Sequence, residues 1–308
     1  MTIKQFNYLK GRFSTAIRIL KMFEDAPVLD ASLIAERLGI AKSSAYNISI
    51  NGLNLPRLNI RDDKRTYFFI TDDYMQEVLI PLLQHSAEHS DRISKLITDT
   101  FLPVNLLVES FRDRPNYLIR HDYRVSQVLF ALSKIKEFGF SPVSIRLATQ
   151  FGNFEPDILT YRVEYNENAV VMPIIFEIVN TRHNVKNYFP ELFRKYMEIA
   201  EESRSLTAHV VFAIEQDLNA VIKAFNETFK DIHGIKSVVK KKAAYELKAG
   251  PLTVYLWRLK DIDDSSFVST VQSECDFMES TRQEITFSIP VKQHIKRFML
   301  DLDTIFNA

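Results

Sequence analysis

Apolar positions recur at helical spacing early in the chain. In STAIRILKMFED, Ile17, Leu20, Met22 and Phe23 form a stripe that predicts a first helix. Asp30 stands where an N-cap is wanted for a second helix, with Leu33, Ile34 and Leu38 facing inward. Gly39 supplies a tight turn, Ile40 packs, and a third helix starts near Lys42 and stops before Asn51-Gly52. The period then changes to two. RLNI and RTYFFIT read as strands flanking the turn RDDK. Residues 74–115 return to helical spacing in YMQEVLIPLLQ, DRISKLITDTFL and VNLLVESF.

Beyond residue 120 helical and strand periods alternate. DYRVSQVLFALSKIKEFG predicts an amphipathic helix ending at Gly139, and VSIRLAT alternates like a strand. DILTYRVEY and VVMPIIFEIV predict two strands joined by the polar turn Asn166-Glu167-Asn168. Pro190 opens a helix, PELFRKYMEIAEES, and AHVVFAI is an apolar run of buried-strand type. The expected fold class is α+β. Its parts are a winged helix-turn-helix in residues 1–80, a helical connector in 81–115, and a domain of order α-β-β-β-α-β in 116–308. The tail PVKQHIKRFMLDLDTIFN carries Val291, Ile295, Phe298, Met299, Leu302, Ile305 and Phe306 at helical spacing. It reads as a docked terminal helix or as the contact of a homodimer.

Composition narrows the setting. The chain has 308 residues, 46% of them hydrophobic and 25% charged, which suits an ordinary globular protein of two domains, or of one domain with a long appendage. The single cysteine, Cys275, excludes an internal disulfide framework and points to a reducing compartment. The start MTIKQFNYLKGRF lacks the apolar core of a signal peptide, and no stretch is long enough to span a bilayer, so a cytoplasmic protein without membrane contact is expected. Whole-chain charge is balanced at 39 basic and 39 acidic residues and favours no partner. The first 70 residues differ, with 11 Lys+Arg against 6 Asp+Glu, a net +5. A local basic bias on a helix-turn-helix pattern predicts double-stranded DNA as the partner. Lys42, Ser43, Ser44, Tyr46 and Asn47 fall on the first turns of the third helix, where base edges and phosphates are met. Arg57, Arg61, Lys64 and Arg65 fall on the wing, where phosphate contacts are wanted. Winged helices also serve as protein-interaction modules, so an adaptor that binds no DNA is the contrasting reading.

Two acids stand out in the second half. Asp157 follows a proline at the head of one strand, and Glu177 interrupts the apolar run VVMPIIFEIV. A buried carboxylate is costly unless paired, hydrogen-bonded or metal-bound. With a turn over residues 166–168, Tyr165 faces Ala169 and Asp157 lies directly opposite Glu177 on one face. Opposed Cβ atoms are roughly 4.5–5.5 Å apart, where like charges repel. A divalent cation between them would remove the repulsion. Register decides this, because a one-residue slip moves one acid to the other face. Pro173 cannot donate to a central ladder and implies a bulge or a later strand start. The sequence HSAEH, with His85, Glu88 and His89, matches HxxEH formally but has no evident third ligand, and reads as a polar helix end rather than a zinc site. There is no P-loop, no dinucleotide-binding glycine fingerprint and no GxSxG. The basic run Lys240 to Lys242 reads as a solvated face or a DNA-backbone track.

The element order, with EPD (Glu155 to Asp157), FEIVNT (Phe176 to Thr181), FRKY (Phe193 to Tyr196) and His121-Asp122 ahead of VSQVLFAL, resembles the PD-(D/E)XK nuclease fold. More narrowly it is similar to the replication-relaxation family and the related MOBC-class plasmid mobilisation relaxases, over roughly residues 8 to 215. The resemblance implies a restriction-endonuclease-like second domain. It also implies metal-dependent DNA nicking in plasmid or mobile-element transfer or replication. Asp157 and Glu177 would ligate Mg²⁺ or Mn²⁺, and the metal would supply the attacking hydroxide. The pattern places a lysine, or in the narrower family an aspartate, two residues after the Glu, where this chain has Val179. Lys195 would then supply the cation and His121 would orient a ligand or contact phosphate, with Tyr196 near the same site. The plainer alternatives are an ion pair of Lys195 with Glu191, a helix-capping His121, and a core Tyr196 on the stripe of Leu192 and Ile199. With Val179 in place, the alternative function is a non-catalytic winged-helix DNA-binding regulator.

Overall fold

The structure is a computed structural model. It describes residues 7–60, 64–82, 84, 116–135, 138–142, 147–149, 152–154, 157–163, 168–179, 188, 191–192, 209–214, 218–229, 239–241, 244–249, 252–262, 265–281 and 285–290. The chain is mixed α and β and divides into two compact units, Met1–Gln127 with Lys292–Ala308, and Val128–Val291.

In the first unit, α1 (Phe13–Asp25) buries the predicted stripe of Ile17, Leu20, Met22 and Phe23. The two-residue strand β1 (Leu29–Asp30) leads into α2 (Ala31–Leu38). Asp30 caps α2 as expected, its Oδ1 accepting the Leu33 N–H at 2.8 Å. Ile34 is fully buried, while Leu33 and Leu38 are half-buried. Gly39 ends the helix with φ +65°, a conformation that glycine adopts without steric cost. Helix α3 (Lys42–Asn47) follows and widens into a π-type turn over Ile48–Gly52. A Cβ on Gly52 would stand 2.6 Å from Leu9, so this turn closes tightly against the start of the chain. Strands β2 (Arg57–Ile60) and β3 (Arg65–Phe68) form the predicted hairpin, and β1 joins it on the far side of β3, giving the antiparallel order β1-β3-β2.

Helix α4 (Asn116–Leu132) contains the division between the units. The sequence places its start at the head of the second domain and its end at Gly139. Instead Ile119 and Tyr123 belong to a core cluster with Val28, Ile60 and Tyr67, so its first half packs with the three-stranded sheet. The Val28 N–H donates to Ser126 Oγ at 3.2 Å within the same packing. The helix also ends earlier than expected. Ser133 and Lys134 turn the chain, and Gly139 opens strand β4 (Gly139–Pro142), which pairs with β7 (Ile158–Val163). Among the described residues the end of VSIRLAT forms β5 (Leu147–Thr149), which pairs with β6 (Gly152–Phe154), and residues 143–146 lie outside them.

The second unit is built on an eight-stranded sheet. With β8 (Asn168–Val179), β9 (His209–Ile214), β10 (Val239–Lys241), β11 (Ala244–Ala249) and β12 (Leu252–Arg258), the order is β10-β11-β12-β9-β8-β7-β4. Strands β8, β9 and β12 are parallel. Helix α5 (Leu218–Phe229) follows β9, and α6 (Ser265–Thr281) follows β12. Strand β13 (Ile285–Pro290) pairs with the first part of β8, Asn168 to Val171, while β9 pairs with its last part, Ile174 to Val179. Pro173 falls at that handover, where its missing N–H costs no ladder bond. Trp257 packs edge-on to Phe267 of α6 at 5.2 Å, and the Tyr255 hydroxyl meets Glu274 Oε1 at 2.6 Å. Arg162 of β7 pairs with Glu279 at 2.9 Å. Helix α6 thus covers the sheet face that carries Arg162, Tyr255 and Trp257, and its own Cys275 is fully buried.

Among the described residues no helix is long and apolar enough to cross a membrane. The HSAEH segment, most of the connector, the helix proposed from Pro190 beyond Leu192, and the amphipathic tail lie outside the described residues.

Candidate nucleic-acid interface and carboxylate pair

In the first unit, α3 turns Ala45 inward, the turn after it buries Ile48, and Lys42, Ser43, Ser44, Tyr46 and Asn47 are left exposed. A six-residue helix with one inward position offers the rest of its side chains to a partner. Tyr46 is 40% exposed, an unusual state for so large a ring, and lies 6.1 Å from buried Phe68. On the hairpin Arg57, Lys64 and Arg65 are exposed, and Thr66 Oγ1 ties the two strands by donating to Asn59 Oδ1 at 2.8 Å. Lys64 turns the hairpin tip with φ 52°. Arg61 lies outside the described residues.

A polar chain anchors Arg65. Its Nη1 donates to the Tyr123 hydroxyl at 3.0 Å, and its guanidinium lies 5.4 Å from the centre of the same ring. Burial first, and the Asp30 carboxylate second, push the Tyr123 phenol well above its ordinary pKa. The phenol therefore keeps its proton for the hydrogen bond to Asp30. The residue that caps α2 is thus linked through α4 to a basic side chain of the hairpin. Sequence spacing showed only the first of these links.

In the second unit the register question has a definite answer. At the turn end the pairing is Val163 with Ala169, two positions from the expected register. Between Leu159 and Thr160 the ladder then shifts, leaving Pro173 and Ile174 of β8 without partners on β7. Beyond the bulge the pairs are Leu159 with Ile175 and Ile158 with Phe176, the register expected at this end. Asp157 follows immediately and stands opposite Glu177 by extension of the ladder. The ladder itself stops there. In its place Asp157 Oδ2 accepts the Ile178 N–H at 2.7 Å. Glu177 is 8% exposed.

Tyr188 joins these two acids. Burial, then the charges of Glu177 and then Asp157, push its phenol well above the ordinary value. Tyr188 was missed by sequence reasoning, which considered Tyr196 instead. No periodic signal marks Tyr188, because it lies in a segment between strands. Lys195 and Tyr196 lie outside the described residues. His121 belongs to the first unit, where its Nδ1 is 3.4 Å from Asp122 Oδ1. Val179, at the position the nuclease pattern gives to a cation, is fully buried.

The donor set suits a hard divalent cation in number and kind. Mg²⁺ commonly takes one or two carboxylates and fills its other positions with water and substrate oxygens. The bond to Ile178 uses one of the two Asp157 oxygens. Glu177 brings a second carboxylate from the next strand into surroundings that hold little water. Among the described residues no group of three or more His, Cys, Asp and Glu is assembled, so what these residues offer a metal is the pair. Comparison of the chain with protein-family models, with curated proteins and with solved structures finds no match.

Proposed function

We propose that the chain is a DNA-processing protein of the replication-relaxation type, acting in plasmid or mobile-element transfer or replication. In this reading the first unit is a winged helix-turn-helix that holds duplex DNA with α3 and the β2–β3 wing. The second is a nuclease-like domain that nicks a strand with Mg²⁺ or Mn²⁺ held by Asp157 and Glu177. The observation that carries the reading is the outward set of α3, Lys42, Ser43, Ser44, Tyr46 and Asn47, beside the exposed wing cations Arg57, Lys64 and Arg65. Basic and hydrogen-bonding side chains on one short helix and its adjoining hairpin are what phosphate positioning and base readout use. The nicking step is supported by the opposed carboxylates at one end of the sheet. A metal bound there would generate hydroxide and offset charge on the phosphate.

A second reading is favoured by two observations. Val179 replaces the expected cation, and Asp157 already serves the backbone by closing the ladder at Ile178. These suit a regulator that binds DNA without cutting it.

Incubation with supercoiled plasmid in Mg²⁺, Mn²⁺ or EDTA separates the two. Metal-dependent relaxation that disappears in the Asp157→Asn, Glu177→Gln protein is the expected result. Duplex binding with no nicking under any condition would establish the regulator. Absence of any duplex binding at physiological salt would overturn both readings.

A further inference from the structure

Three strands of the second unit end at the same level. Val179 of β8 and Arg258 of β12 both pair with Ile214 of β9. Residues aligned across a sheet leave it on the same face, and residues two apart along a strand do likewise. Glu177, Val179 and Arg258 therefore share one face. Asp157, opposite Glu177 by extension of the ladder, belongs to the same face. The other face, with Trp257, Tyr255 and Arg162, is the one that α6 covers.

We propose that Arg258 is the phosphate-binding residue beside the carboxylate pair. The inference rests on the nuclease-like reading of the second unit and gives its substrate anion a holder. Arg258 is half-buried, and among the described residues its guanidinium makes no hydrogen bond or ion pair. A half-buried arginine left without an anion is unusual, because its planar fork is suited to carboxylate and phosphate oxygens. Its strand lies two places from that of Glu177 in the order β12-β9-β8. That is about 10 Å across the sheet, with one further step of about 7 Å along the strands. Side chains as long as glutamate and arginine can close such a span around a tetrahedral oxyanion and a cation. The carboxyl ends of parallel strands are also where open α/β sheets take up ligands. The row that gives Val179 to β8 gives Arg258 to β12, so the cation absent from one strand is present two strands away. A phosphodiester would then be held between the guanidinium on one side and the carboxylates with their metal on the other.

Calorimetric titration of the full-length protein with inorganic phosphate, without and with saturating Mn²⁺, tests this. Arg258→Gln is expected to weaken phosphate binding at least tenfold in both conditions. Arg258→Lys, which keeps charge but loses the fork, is expected to weaken it severalfold, and Lys260→Gln to leave it unchanged. Should Arg258→Gln fail to fold, Arg258→Lys decides, and unchanged affinity there overturns the proposal. Phosphate affinity that survives Arg258→Gln, or a wild-type protein with none, also overturns it. The same proteins are then given supercoiled plasmid and Mn²⁺. Phosphate binding that depends on Arg258 alongside plasmid left intact by every protein would leave the anion site standing and remove the nicking reading. Nicking by a protein whose phosphate affinity ignores Arg258 would do the reverse.

Discussion

Replacing Asp30 by alanine removes two things from the first unit at once. One is the N-cap of α2, the Oδ1 bond to the Leu33 N–H at 2.8 Å. Loss of a cap of this kind costs about 1 kcal/mol. The other is the acceptor for the Tyr123 hydroxyl, which lies in a residue only 3% exposed. Leaving a buried hydroxyl without its acceptor costs about 1–2 kcal/mol, reduced here because Tyr123 still accepts from Arg65. Asp30 is itself 4% exposed, so water offers little substitute. The expected loss is about 2–3 kcal/mol. Asp30→Asn keeps an oxygen in place and is an equally good cap, so it should cost under about 1 kcal/mol. Tyr123→Phe should cost about 1 kcal/mol, and the two changes together should show a coupling above about 0.5 kcal/mol. Urea unfolding followed by hydrogen exchange at the amides of α1, α2 and β3 reads the first unit. The single tryptophan, Trp257, lies in the second unit, so its fluorescence transition should stay where it is. Hydrogen exchange at the Leu33 amide should accelerate in Asp30→Ala and not in Tyr123→Phe. Equal losses for Asp30→Asn and Asp30→Ala would refute the reasoning, since charge rather than the acceptor oxygen would then hold the network together.

Two further outcomes are expected. Lys42→Ala with Arg57→Ala should flatten the dependence of duplex affinity on salt by about 0.9 per lost phosphate contact, and an unchanged slope would remove α3 and the wing from the interface. Burial first, and then the charges of Asp276, Glu274 and Glu279, push the Cys275 thiol up to about 12. The unfolded thiol ionises first as pH rises, so the stabilisation is complete below about pH 9 and is lost on the way to about 12. Denaturant melts from pH 8 to 11 should therefore show stability falling, less steeply in Cys275→Ala. A folded-state thiol that reacts readily with a disulfide reagent at pH 8 would contradict the burial.

The elements of the first unit were legible because each has a local cause. A capping Asp30, a left-handed Gly39 and the change from helical to alternating period act within a few residues, and they mark α2, α3 and the hairpin as the structure has them. The end of α4 was misread for the opposite reason. Gly139 and Pro142 break a helix without making a strand, and it is pairing with β7 that makes β4 one. The opposition of Asp157 and Glu177 was anticipated with the right register at that end, yet through a turn that is two positions off. The bulge at Pro173 and Ile174 restores it, and only the strands on either side of β8 place that bulge. Arg258 lay beyond sequence reasoning altogether. A residue's neighbours two strands away depend on sheet order, and sheet order is settled by long-range pairing. Residue type and period thus determined which segments form helices and hairpins and which acids are costly. Tertiary structure decided which of those segments meet, because hydrogen-bond ladders between distant strands, rather than local preference, choose what stands opposite a charge.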